Sequence, residues 1–366
     1  MNDDEALTAR SDTGDAAPFR WRRPVGALAL VACLALAASA LFSITQGAVE
    51  IPTVTIVQML VSRLPVVPDW LGIAAHWSSA QQAVVLDIRL PRVVLSALVG
   101  ASLAVAGAAY QGLFRNPLAD PYLIGVASGA GLGAVIALAL SFPAVLYGVG
   151  VVQWMAFTGA VLVVSVVYIL ARVGRSTPIT TLLLAGVALG AFANAVMSSL
   201  IYMNQDKLHT VYSWLLGGLS LGNWQQVLVV VPYSLLGFGV IHTYARPLNV
   251  LQLDEEQAAQ LGVNVERVKL VLVASATLVT AAAVSVSGLI GFVGLIVPHA
   301  VRLVLGPDYR LLLPMSALLG GIFLVWADAL ARTVMAPTEL PVGVVTALCG
   351  APFFLYLLRQ RKRMVF

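Results

Sequence analysis

Long apolar stretches recur along this chain, separated by short segments rich in proline, glycine and arginine. The first runs from Val25 to about Ile44; others lie near 92–112, 122–141, 149–171, 179–203, 225–244, 268–287, 290–305, 311–332 and 342–358. None alternates apolar and polar residues with a period of two, which argues against a transmembrane barrel. A run of about twenty apolar residues is long enough to cross the hydrocarbon core as a helix. The pattern predicts an all-α polytopic membrane protein with about ten transmembrane helices. The run at 290–305 is short and glycine-rich, and its start is the least sharply marked boundary. Residues 1–23 read as a disordered, largely polar tail, 24–360 as the membrane domain and 361–366 as a basic tail.

Composition agrees. The chain has 366 residues, of which 60% are hydrophobic and 10% charged, with mean hydropathy +0.92. A globular chain in water carries about 25% charged residues. In lipid, backbone polar groups must be satisfied within the protein, which leaves helices as the spanning element here. The basic segment Phe19 to Pro24 followed by an apolar run could open a signal peptide, with Ala38-Ser39-Ala40 as its cleavage site. The length of the run and the acidic tail ahead of it favour a first span. Cys33 and Cys349 lie inside apolar runs without metal-ligating neighbours and read as small packing residues.

The placement of cations sets the orientation. Arg20, Arg22 and Arg23 precede the first span, and Arg359, Arg361, Lys362 and Arg363 follow the last. Threading the spans puts Arg115, Arg172, Arg175, Arg246, Arg267, Lys269, Arg302 and Arg310 on that same side. Only Arg63, Arg89, Arg92, Lys207 and Arg332 fall opposite. The positive-inside rule then predicts an inner-membrane protein with both termini in the cytoplasm. Glycines four residues apart, at 125, 129 and 133 and at 186 and 190, predict close helix packing rather than a glycine-lined pore.

Several chemistries are missing. There is no G-x-x-x-x-G-K-[ST] phosphate loop, so ATP is not bound in that way. Nor is there an H-E-x-x-H, Cys-x-x-Cys or nucleophile-elbow motif, so no catalytic residue and no metal ligand is expected. Asp328 is the only acid well inside an apolar run. It lies four residues before Arg332, where a local i,i+4 pair is the expected state.

Two segments between spans are unlike simple loops. Arg89-Leu90-Pro91-Arg92 stands at the outer start of the second span, with Arg332 at the outer end of another. Snorkelling at the interface is one reading; an outward cationic patch for an acidic partner or ligand is the other. The second segment, residues 251–264, predicts a short polar helix. Asp254 caps it, Glu255 and Glu256 suit its first turn, and Gly262 ends it. Ala258, Ala259 and Leu261 would be its exposed apolar positions; docking of another protein is one reading of such an element, a solvated connector the other.

At these residues the chain resembles the FecCD-type permeases of ABC importers for ferric siderophores, haem and cobalamin. The likeness runs from about residue 24 to 360. It is carried by R-L-P-R at 89–92, R-N-P-L-A-D-P at 115–121, G-V-A-S-G-A-G at 125–131, L-L-L-A-G-V-A-L-G at 182–190, A-A-Q-L-G-V at 258–263, G-F-V-G-L-I-V-P-H-A-V-R at 291–302 and E-L-P-V-G-V-V-T-A at 339–347. The resemblance implies a type II ABC importer fold and a homodimer with its path on the dimer axis. It also implies two cytoplasmic ATPase subunits, which hold ATP and Mg, and one periplasmic or lipid-anchored substrate-binding protein. No cofactor and no nucleic acid is expected on this chain.

Residue by residue, Arg89, Arg92 and Arg332 match arginines that dock the binding protein, and Asn116 and Leu118 match the cytoplasmic gate. Asp254, Glu255, Glu256, Ala258, Ala259, Leu261 and Gly262 match the coupling helices. Thr180 and Thr181 align more loosely with the gate. His299 and Arg302 lie in a family motif, where a structural histidine is expected. The implied function is alternating-access import of a metal chelate. Ferric siderophores lead as cargo, followed by haem and cobalamin, with an ion-coupled secondary transporter as the rival mechanism.

Overall fold

The structure, a computed structural model, describes residues 25–47, 49–63, 77–140, 142, 145–146 and 149–365. The tail predicted as disordered lies outside the described residues. In chain order the helices are α1 (Val25–Thr45), α2 (Thr53–Val61), α3 (Ser79–Ala83), α4 (Leu90–Leu113), α5 (Val126–Ala139), α6 (Val151–Ala171), α7 (Ile179–Met203) and α8 (Leu208–Leu215). They continue with α9 (Trp224–Thr243), α10 (Ala245–Leu251), α11 (Glu255–Gln260), α12 (Val265–Ser287), α13 (Val293–Leu305), α14 (Tyr309–Thr333) and α15 (Val342–Val365). A two-residue antiparallel hairpin, β1 (Val145–Leu146) and β2 (Val149–Gly150), joins α5 to α6.

Ten of these helices correspond to the ten expected spans. Seven, counting α3 and α4 with the π-helical stretch between them as one, are long and apolar enough to cross a membrane; α5, α13 and the apolar part of α15 are shorter. Two boundaries differ from expectation. The second span begins at Ser79 and runs through a π-helical stretch, Val84–Arg89, into α4. Arg89-Leu90-Pro91-Arg92 therefore lies within a long helix, not at its start. Pro91 is tolerated there because the π stretch already departs from the i→i−4 ladder that proline cannot join. The short span α13 starts at Val293, after a non-helical passage in which Gly288 (φ 66°) and Phe292 (φ 68°) are left-handed. The basic tail at 361–365 continues α15.

Helix α4 is the centre of the bundle. It packs against α10, α12, α13 and α14 as well as α9, and it is buried without interruption from Ser102 to Leu113. Lipid tails are as apolar as leucine, so hiding apolar side chains does not draw membrane helices together. Small residues that let backbones touch do. Gly100 faces the backbone of Gly320 in α14, and Gly107 faces the carbonyl of Gly294 in α13. The predicted glycine row works in the same way. A methyl group on Gly129 or Gly133 would collide with the carbonyls of Gly159 and Met155 in α6, and one on Gly186 with Leu123. Cys33 and Cys349 depart from expectation: both are exposed on helix faces rather than packed inside.

Gly107→Ala should push α13 off α4 and destabilise the protein by about 1–3 kcal/mol. Gly239→Ala, whose added carbon meets nothing within 4 Å, should be neutral. Thermal midpoints of the two purified variants in one detergent check both expectations.

Candidate functional site

The expected site residues collect at opposite ends of the bundle. At the end that carries α2, three arginines from two long helices converge. Arg89 ends the π-helical stretch and Arg92 lies one turn further, in the first turn of α4; Arg332 closes α14. They are brought together as expected, yet they do not form an outward patch. Arg89 is 6% exposed, and its two terminal nitrogens donate to the carbonyls of Ile44 (2.9 Å) and Val49 (2.5 Å). Arg92 donates from Nε and Nη2 to both oxygens of Asp328, and from Nη1 and Nη2 to both oxygens of Glu339 at 3.0 Å. Arg332 pairs with Asp328 at 3.2 Å, and donates to the Ser43 hydroxyl (2.6 Å) and the carbonyls of Ser43 and Gln46.

Asp328 is fully buried and lies between two guanidiniums, so the expected i,i+4 pair is only half of its environment. The physical reason the patch turns inward is desolvation. A guanidinium in this shell is stable only when its donors are filled, and a carboxylate together with the open carbonyls at the end of α1 fills them. Glu339, 40% exposed at its side chain, completes the network from the segment before α15.

At the other end, α4 stops in a left-handed turn. Arg115 has φ 49°; its N–H reaches Gly112 O, and Asn116 N–H reaches Gln111 O. This is a Schellman ending with arginine where glycine is usual. The turn is stiffened further because Asn116 Oδ1 accepts from Leu118 N at 3.0 Å. Asn116 is exposed and Leu118 half-buried. Asp120 caps the short 3-10 turn Pro121–Ile124 by accepting from Tyr122 N at 2.8 Å. Its surface is half-buried, yet protein surrounds the carboxylate closely enough that lost hydration pushes its pKa up to about 6.

Helices α10 and α11 lie beside this turn. Asn249 accepts from Tyr309 N (2.9 Å) and donates to Asp308 (2.7 Å), which fixes α10 to the start of α14. Burial pushes the Asp308 carboxyl up, but hydrogen bonds from Asn249 and Arg310 outweigh it and hold it below the usual range. Asp254 caps α11 through Glu255 N (2.7 Å) and accepts from Arg115 (2.8 Å); these bonds lower its pKa. Glu255 and Glu256 occupy the first turn and Gly262 (φ 83°) ends the helix, as the sequence predicts.

Ala258 departs from expectation. It is fully buried, because α11 needs one face to sit on the bundle. Glu256, Gln257, Ala259, Gln260, Leu261 and Gly262 form the exposed face. Sequence reasoning missed Lys269. Its Nζ is bonded to Glu255 (2.7 Å), Glu266 (3.1 Å) and the Thr177 carbonyl (3.1 Å), and its side chain is 5% exposed. The i,i+3 spacing to Glu266 was legible; the partners in other segments were not. His299 is buried, and Arg302 lies over the Tyr309 ring and donates to its hydroxyl.

A cavity of about 720 Å³ opens near the α2 end between α5, α6, α8, α9 and α12. Gln153, Lys207, Thr210, Ser213, Trp214 and Gln226 supply most of its polar lining.

The sequence pattern of the FecCD transport family matches residues 20–360. The chain belongs to the FecCD transport family. Similar FecCD relatives include a cobalamin import system permease protein of Halobacterium salinarum, 53% identical over 281 residues, covering 77% of this chain and 74% of that one. A hemin transport system permease protein of Yersinia pestis is 45% identical, covering 76% and 84%. An Fe(3+)-citrate import system permease protein of Bacillus subtilis is 36% identical, covering 94% and 98%. Among solved structures, a metal-chelate type ABC transporter in an inward-facing conformation superimposes with a TM-score of 0.77 at 29% identity, covering 92% of this chain and 99% of that one. The FecCD fold seen here is therefore that of a multi-pass membrane transport protein.

Arg92→Ala should leave Asp328 with Arg332 as its one ionic partner and Glu339 to water, and cost about 1–3 kcal/mol, seen as a lowered thermal midpoint in detergent. For Asp120, the folded pKa of about 6 lies above the ordinary 3.8. The folded state therefore holds the proton more tightly, and stability falls as pH rises through that window. Between pH 7 and pH 5 the protein should gain about 1 kcal/mol from this residue, and Asp120→Asn should remove the gain.

Proposed function

We propose that this chain is the permease subunit of an ATP-driven importer that moves a metal chelate across the inner membrane by alternating access. It works as a homodimer with two ATPase subunits at the α11 end, which is cytoplasmic, and one binding protein at the α2 end. The observation that carries this reading is the α10–α11 pair. It is anchored on one side through Asn249, Asp254 and Ala258, and on the other it presents a polar face with Leu261 at its tip. A helix held so firmly and left open is suited to take force from another protein, and the chain itself has no phosphate loop to supply that force.

The cavity lining supports passage of an intact chelate. Among the described residues, the side chains around it include amides, hydroxyls and one ammonium, and no carboxylate, thiol or imidazole that would compete for the metal. Specificity then falls mainly to the binding protein. The relatives are named for cobalamin, hemin and ferric citrate at 53%, 45% and 36% identity. That order supports testing cobalamin ahead of the ferric siderophores that the resemblance alone puts first.

The three outer arginines enter this proposal as the frame of the docking face. Direct pairing with acidic residues of a binding protein would require them to leave Asp328, Glu339 and the carbonyls at 43–49.

The test is uptake of labelled cobalamin, haem and ferric siderophores by cells with and without this gene, with ATP depletion and an ionophore as separate arms. Loss of one cargo that ATP depletion mimics and the ionophore does not supports the reading. Uptake abolished by the ionophore alone would identify a secondary transporter.

A further inference from the structure

The first two acids of α11 are not free to meet a partner, because each is bound to a different part of the bundle. Asp254 is paired with Arg115 at 2.8 Å, and Arg115 opens the stiff turn that holds Asn116 and Leu118. Glu255 is paired with Lys269 at 2.7 Å, and the same ammonium bonds Thr177 O at 3.1 Å. Thr177 ends a second compact turn. Val173 and Ser176 exchange backbone hydrogen bonds of 2.9 and 3.1 Å within it, and Pro178 then opens α7. Thr181 ties the two sides of this turn together by donating to Ala171 O at 2.9 Å.

We infer that Arg115 and Lys269 are positioning residues that form a two-armed ionic fork, transmitting displacement of α11 separately to the 115–120 turn and to the start of α7. This inference rests on the reading of α11 as the ATPase-facing helix and adds the route by which its motion reaches the transport path.

Three features favour transmission over mere bracing. Arg115 sits in one stiff turn, and the Lys269 ammonium, carried by α12, holds a carbonyl of another, so displacing either cation pulls on a turn. Asp254 and Glu255 are adjacent, so one helix end drives both arms together. Arg115 also occupies a left-handed conformation that disfavours any residue with a Cβ. A glycine would end the helix more comfortably but has no side chain to reach Asp254, as Arg115 does. The pair is half-exposed, 38% and 49%, where an ion pair contributes little stability. A strained position holding a bond of small static value is better explained by what the bond connects than by how firmly it holds.

The experiment uses the permease assembled with its ATPase subunits in lipid nanodiscs, with the exposed Cys33 and Cys349 changed to serine. Single reporters Leu118→Cys and Thr180→Cys are labelled with N-ethylmaleimide, with and without ATP and vanadate. In this parent, nucleotide should change the labelling rate at both positions. Arg115→Gly should reduce the response at 118 by roughly tenfold and leave that at 180. Lys269→Met should do the reverse, and Lys269→Arg should restore it. Arg115→Gly also relieves backbone strain, so lost folding does not confound that arm. Should Lys269→Met fail to assemble, Glu255→Gln cuts the second arm. Equal loss at both reporters in either variant, or no loss in any, overturns the fork. A parent that shows no nucleotide response would instead overturn the ATP-driven reading, and the fork with it.

Discussion

Helices in lipid gain little from hiding apolar side chains, so this fold depends on how closely other backbones can approach α4. Gly100 and Gly107 bring α14 and α13 to direct backbone contact, and that closeness has consequences at both ends. It puts Arg92 beside Asp328 of α14 at one end. At the other it sets the end of α4 against α10, where Gln252 donates to Gly112 O at 3.0 Å. A wider central helix would separate these groups beyond hydrogen-bond reach.

The two polar assemblies differ in kind. The Arg92–Asp328–Arg332 network is buried, with side chains at most 9% exposed, and in such surroundings every donor must find an acceptor. It behaves as a staple joining the ends of α1, α4 and α14. The assembly around α11 mixes a buried ammonium with half-exposed carboxylates and an exposed arginine. That assembly is open to water on one side while the outer one is closed, so this is the end a partner can reach. The contrast matches the proposed division of labour: a stiff outer frame and an inner end that responds to a partner.

Long homogeneous features were legible before the structure was known. The α7 boundaries are as expected, and the α11 cap and terminus were readable from Asp254 and Gly262 because both are local devices. Arg89, Arg92 and Arg332 were singled out correctly as related, but their direction was not readable. Nothing in R-L-P-R says that a carboxylate 236 positions later in the chain lies at 2.9 Å. Lys269 was counted only as a charge on one side of the membrane, since two of its partners, Glu255 and Thr177, come from other segments.

What the sequence alone determined is the solvent and the repeat. Ten apolar runs require lipid around them and helices within it, and the cation bias predicts how they thread. Tertiary structure alone decided which polar groups face inward. Burial is a property of all the neighbours at once: Ala258 is hidden although its helix lies at the bundle surface, and Arg92 is hidden although it lies near the bundle's end. A charge in such a place persists only with its partner, and those partners come from distant parts of the chain.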